Sequence, residues 1–313
     1  MSELINYIST TLLGLFNGPE ERYASIRDIM RLLTPVDSKL GGHKRVQKHN
    51  ISTDKVSSAI TKLLWFSPGV LPILLEEVYT ELPKLYIEEN WAPTQILQNV
   101  AYLMHLFTNH DQTREPFINS STVTMFLPFI EETLDRPNIN FTFCDRIWSM
   151  VANITKEKKH HGQKKDTTHA LAVYLCLAGG MYDVLIDYVQ LFFKTYSENS
   201  LMLCLCIIYN FLNVSNLEAI IANQTRSDII MKQFENFVEN IPLLLNNCLG
   251  YDRLVELTLK CYNIFFSHYP NYRNHVLLDA RVFNDIKKRS GFSAVDREKV
   301  DALVDNIVAF LEK

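Results

Sequence analysis

Three histidines, His160, His161 and His169, lie in or beside the run Lys156 to Lys165. Clustered imidazoles can hold zinc or phosphate. The surrounding lysines repel a metal cation and supply no carboxylate or thiolate to complete a ligand set. The run therefore reads as a polar loop. Cys204 and Cys206 are two apart in an apolar stretch, and on a helix such residues point to different sides, so core packing explains them better than a metal pair. The six cysteines (Cys144, Cys176, Cys204, Cys206, Cys248 and Cys261) all fall in apolar runs without a CxxC pair. They read as reduced core residues of an intracellular protein. GxSxG, HExxH, P-loop and GxGxxG patterns are absent. Glu76-Glu77 and Glu131-Glu132 fall on expected solvated helix faces. Without a nucleophile–base constellation, the expectation is a protein that is not an enzyme and needs no metal or cofactor.

Phosphate contact is the remaining chemistry. Lys44, Arg45 and Lys48 form one basic cluster, and Lys156, Lys158 and Lys159 open another. The net charge is nevertheless −4, so the rest of the chain is acidic and the two clusters stand out from it. A groove fringed by these lysines would hold a nucleic-acid backbone. The favoured reading is that the clusters merely solvate two insertions, at about 34–53 and 156–166. No aromatic residues interleave with the lysines to stack bases.

What positions these residues is helical. Hydrophobic residues are 47% and charged residues 21%, as in folded globular proteins. Only 10 glycines and 11 prolines occur in 313 residues, too few for many short strands and turns. The start, Met1-Ser2-Glu3-Leu4, is acidic and is not a secretory signal. The longest apolar run, Ala170 to Tyr182, is broken by Gly179-Gly180 and is too short to span a bilayer. No membrane partner is expected.

Helical periodicity predicts helices at Glu3–Phe16, Glu20–Leu33, from Pro93, at Phe141–Ile154, through Thr168–Leu212, and at Ser227–Leu249, Asp252–Ser267 and Asp296–Leu311. Ile96, Leu97, Val100, Leu103, Met104 and Phe107 form a stripe too wide for a helix covered on one side. Ile207 and Ile208 make a strand the rival over Leu201–Tyr209, but hairpin turns are lacking.

Two helices are expected to meet in a corner at Leu63 to Val78. Ser67 caps the second and Pro68 suits its first turn. Leu71, Leu75, Val78 and Leu82 share one face, and Glu76, Glu77, Thr80 and Glu81 the other. Pro72 sits late, so the helix begins nearer Val70 or the corner is stretched. Phe66, Pro68 and Pro72 would form a rigid apolar knuckle.

A local form recurs in Phe16-Asn-Gly-Pro19-Glu-Glu-Arg22, Phe107-Thr-Asn-His-Asp111-Gln-Thr-Arg114 and Phe266-Ser-His-Tyr-Pro270-Asn-Tyr-Arg273. An aromatic closes one helix, a Pro or Asp opens the next, and an Arg one turn on reaches back to the preceding helix's carbonyls. Reused helical units with an imperfect period predict an all-α, armadillo-like right-handed α-solenoid, one domain over 1–313.

At Leu64-Trp65-Phe66-Ser67-Pro68-Gly69 the chain resembles the Rcd ("required for cell differentiation") or Caf-forty family, the ninth subunit of the CCR-NOT deadenylase complex. Asn99-Val-Ala-Tyr-Leu103, Asn109-His-Asp-Gln-Thr-Arg114, Phe126-Leu-Pro-Phe129, Arg136-Pro137, Cys261-Tyr262 and Pro270-Asn-Tyr-Arg273 follow in the family's order, and Gly18-Pro-Glu-Glu-Arg22 precedes them. The resemblance covers roughly Leu12 to Asp285. It implies a non-catalytic armadillo scaffold that docks on the complex's Not scaffold protein through Phe66, Ser67, Pro68 and Pro72. It also implies pockets for tryptophans or short helical motifs of mRNA-silencing and RNA-binding proteins. Arg226 matches a pocket arginine, while Asn271 and His275 replace the family's Arg and small residue in the second pocket. The implied setting is mRNA decay and translational repression in the cytoplasm, with the nucleus also compatible, as is a homodimer. The alternative is a helical-repeat protein that binds nucleic acid in a basic groove.

Overall fold

The computed structural model describes residues 2–33, 69, 72–74, 76–78, 80–81, 94–109, 111–118, 126–134, 141–157, 167–195, 198–248, 251–270, 280–288 and 294–311. Among these, every regular element is helical and none is a strand. Leu201–Tyr209, where a strand was the rival, lies inside the helix Glu198–Leu212. The described chain groups into two compact units, residues 1–129 with 136–154, and residues 130–135 with 155–313.

In the first unit, α1 (Ser2–Leu13) passes through a 3₁₀ turn (Gly14–Phe16) into α2 (Pro19–Leu33). Helical residues 72–74, 76–78 and 80–81 follow. Then come α3 (Gln95–Thr108), α4 (Asp111–Ile118) and, after α5 (Leu127–Leu134), α6 (Phe141–Thr155). The predicted stripe on α3 is buried along one wide face: Leu97, Val100, Leu103 and Met104 are all 0% exposed, while Ile96 at its edge is half-buried. The start of α3 is set by Thr94, whose hydroxyl accepts from the Leu97 N–H at 3.2 Å.

The polar face expected beyond Pro72 holds with two corrections. Glu76 and Thr80 are exposed, but Glu77 is half-buried against Arg22 and Glu81 is buried. Its carboxylate accepts the Thr94 hydroxyl at 2.6 Å, so a residue that periodicity puts in water is taken up by the start of α3. Leu71, Leu75 and Leu82 lie outside the described residues, while Leu74 and Val78 form the buried side.

Arg22 Nε donates to the carbonyl of Leu15 at 3.1 Å, reaching back as the Arg signature predicts. The Arg114 guanidinium donates to the carbonyl of Asn153 at 2.9 Å, near the end of α6, a later helix that the signature does not foresee. Arg273 lies outside the described residues.

The second unit contains α7 (Thr167–Ala178), α8 (Met181–Thr195), α9 (Glu198–Leu212), α10 (Leu217–Ala222), α11 (Ser227–Cys248), α12 (Asp252–His268), α13 (Ala280–Lys288) and α14 (Ala294–Leu311). The short α10 escapes periodicity because it holds only six residues. Each helix of the triplet α7–α8–α9 packs on its counterpart in α10–α11–α12: α7 on α10, α8 on α11, and α9 on α12. A helix that packs on the one three places later is the mark of a three-helix repeat in which each unit covers the next one's apolar face. Aromatic rings join the two triplets. Tyr182 on α8 lies 4.2 Å from Phe234 on α11, ring centre to ring centre, and Phe234 lies 6.3 Å from Phe265 on α12.

The apolar run through Gly179-Gly180 becomes a corner, bending 79° between the two helices it joins. Gly180 makes that bend at φ +77°, a left-handed conformation that suits a residue without Cβ. Among the described residues, no single helix is long and apolar enough to cross a membrane.

Candidate docking corner and pocket

The corner is built by the turn between α1 and α2. Leu13 and Phe16 are 64% and 48% exposed, three residues apart, although both are large and apolar. The Phe16 ring lies over Gly69: a Cβ there would stand 2.8 and 3.3 Å from two of its ring carbons. Gly69 thus lets the ring lie flat against the chain. The N–H of Ile73 bonds the carbonyl of Gly69 at 3.2 Å. Pro72 therefore precedes this donor and stays within the first turn, where a missing N–H costs nothing. Its late position is explained by a helix that starts nearer residue 70. Pro72 is exposed. Of the knuckle residues, Phe66, Ser67 and Pro68 lie outside the described residues. Beneath the corner, Arg22 ties the elements together. Besides Leu15, it pairs with Glu77 at 2.6 Å and approaches Glu76 at 3.5 Å.

Arg226, which the family resemblance expects in a pocket, lies just before α11. It pairs with Asp183 of α8 at 2.8 Å. Both groups reach solvent, so the pair contributes roughly 0.2–1 kcal/mol. The other Asp183 oxygen, Oδ1, is buried without a hydrogen-bond partner. Gly180 is again the enabling residue, since a Cβ there would stand 2.9 Å from an Arg226 nitrogen. Asp187 titrates above the ordinary carboxylate range because of burial and the nearby Asp183 charge. Asn271 and His275 lie outside the described residues, as do Lys44, Arg45, Lys48, Lys158 and Lys159. Lys156 is described and exposed, directly after α6. His169 is not free for a metal: it is buried, and its Nε2 hydrogen-bonds with the carbonyl of Asn210 at 2.9 Å. Cys204 is buried and Cys206 half-buried, on different sides of α9 as their spacing requires.

Sequence reasoning missed one polar cluster on α3 and α6. Arg146 lies 5.0 Å over the Tyr102 ring and donates to the carbonyl of Gln98 at 3.3 Å. Tyr102 stacks on His105 with ring centres 6.2 Å apart. The only advance signal was the Tyr102–His105 spacing of three at the edge of the apolar stripe. Burial, and then the Arg146 charge, hold His105 below its ordinary value of 6.5. The sign follows directly. The unfolded chain binds that proton more readily, so His105 contributes stability that is full above pH 6.5. That stability is lost as pH falls from 6.5 toward the lowered value. His105→Gln is expected to flatten this part of the pH dependence, measured as the urea midpoint of both proteins across that window.

No family model matches the chain, and no curated protein matches it. Among solved structures it is similar to a designed armadillo repeat protein, with a TM-score of 0.58 and 10% sequence identity. The likeness covers 96% of this chain and 99% of that one. At that identity it shows the fold alone. The chain has an all-α, armadillo-like solenoid fold, in agreement with the three-helix repeat of the second unit.

Proposed function

We propose that this protein is a non-catalytic adaptor of the CCR-NOT deadenylase machinery. In this reading the corner after Trp65 docks on a helical segment of the Not scaffold protein. The Arg226 region receives peptide motifs of mRNA-bound regulators, in mRNA decay and translational repression. The observation that carries the reading is the exposed apolar surface at the corner: Phe16, whose ring lies against Gly69, Pro72 three residues beyond that glycine, and Leu13 three residues before Phe16 are all left open to solvent. Isolated exposed apolar residues need no explanation, but a group at one rigid turn is what a partner helix would cover. The ordered series of motifs shared with the Rcd family points to the same corner. Nucleic-acid binding is the rival. Of the basic residues it would use, Lys156 is exposed directly after α6.

The test is co-purification with tagged full-length protein. Phe66→Asp combined with Pro72→Tyr is expected to abolish recovery of the Not scaffold and deadenylase subunits while the helical circular dichroism spectrum is unchanged. Recovery at the wild-type level by the folded variant would refute the corner as the docking site.

A further inference from the structure

Among the described residues, carboxylates edge the exposed corner. Glu20 and Glu21 are exposed at the start of α2, directly after the turn that carries Phe16. Glu21 is held toward that turn by Asn17, whose side-chain amide donates to it at 2.5 Å. Glu76 lies one helical turn beyond Pro72, and its side chain is 65% exposed. The Arg22 guanidinium offsets this rim only in part: it donates to the Leu15 carbonyl, pairs at 2.6 Å with Glu77, whose side chain is only 14% exposed, and reaches Glu76 at 3.5 Å.

Building on the adaptor reading, we infer that the corner of Leu13, Phe16 and Pro72, with its rim of Glu20, Glu21 and Glu76, takes an amphipathic helix whose polar face is basic. Apolar anchors on that helix cover the two rings and Leu13, and its lysines or arginines meet the carboxylates. Charge selects the partner here. Opposed carboxylates repel an acidic helix, and rim charge acts mainly on choice of partner and on encounter rate. A second copy of this chain is a poor occupant for the same reason. A two-fold contact through the corner would place Glu20, Glu21 and Glu76 against their own copies. Carboxylates in the first turn also suit the α2 dipole. That role affects stability and has no effect on which helix binds, so the two can be separated.

The experiment uses the full chain and two labelled synthetic helices with identical Leu/Phe faces. The polar face of one is lysine and of the other glutamate. Fluorescence anisotropy is expected to show the lysine helix binding at least about tenfold tighter, with an advantage that shrinks as salt rises. Glu20→Lys/Glu21→Lys/Glu76→Lys is expected to reverse the preference, and Leu13→Asp to remove binding of both. If the triple variant does not fold, Glu76→Lys alone is expected to narrow the preference, since Glu76 is largely solvated. Equal affinity for the two helices, an unchanged preference in a folded Glu→Lys variant, or no binding of either helix would overturn the proposal. Continued co-purification of the Not scaffold alongside any of these results would leave the adaptor reading standing, so the two failures are distinguishable.

Discussion

Arg114→Ala is expected to destabilise the first unit by about 3–5 kcal/mol, the sum of a packing loss and an unsatisfied buried carbonyl. Arg114 is only 2% exposed, one of the largest fully enclosed side chains among the described residues. Its guanidinium donates to Asn153, two residues before the end of α6. The last carbonyls of a helix have no partner within it, and the helix dipole makes that end negative. A buried cation is a strong answer to both. The same end is tied to α3 by Asn153 itself, whose amide donates to the Asn109 side chain at 2.6 Å and approaches the Thr108 hydroxyl at 3.4 Å. Arg114→Met keeps most of the stem and is expected to cost less, about 1–3 kcal/mol, isolating the polar share. Urea denaturation gives the totals. Hydrogen exchange over Phe141–Thr155 shows whether the loss begins at α6. A cost below about 1 kcal/mol for the alanine variant would mean that the Arg114–Asn153 bond does not hold the end of this helix.

Phe234→Ala is expected to cost the second unit a similar amount, about 3–5 kcal/mol. Phe234 is 0% exposed and sits between Tyr182 and Phe265. These three rings come from α8, α11 and α12, so they bridge one helical triplet and the next. Truncation leaves a cavity that three packed helices can close only in part. Phe234→Leu fills most of the space and is expected to cost about 1.5 kcal/mol or less. Amide protection should fall in α8, α11 and α12 together. Loss confined to α11 alone would show that the rings do not couple the triplets.

Much of this was open to reading from residue order. A helix is a local object, and its signals are local. The spacing in Leu97, Val100, Leu103, Met104 and Phe107 announces a helix with one wide buried face. The Pro19 break and the Gly179-Gly180 break mark ends. Arg22 could be placed because its target, the Leu15 carbonyl, lies seven residues away across a single turn. The exposed corner was half visible: the break after Phe16 and the prolines near Gly69 were noted, but nothing local told that Phe16 would remain in solvent.

Glu81 was misread, and the Asn153 partner of Arg114 was not foreseen, for one reason. Both have partners supplied by another element: Asn153 lies 39 residues beyond Arg114, and Thr94 lies across a segment from Glu81. Periodicity assigns a face to a residue; it does not say what arrives on that face. The same limit hid Arg146 over Tyr102, and with it the depressed titration of His105.

The residue order by itself determined that this protein is helical, where most of its helices begin and end, and which stripe of each is apolar. Those properties depend on contacts three or four residues apart. The tertiary structure alone decided the three-helix period, the identity of the buried ion and carboxylate partners, and which apolar residues were left uncovered at the corner. These depend on which elements meet, and that outcome is set by packing whole faces against one another.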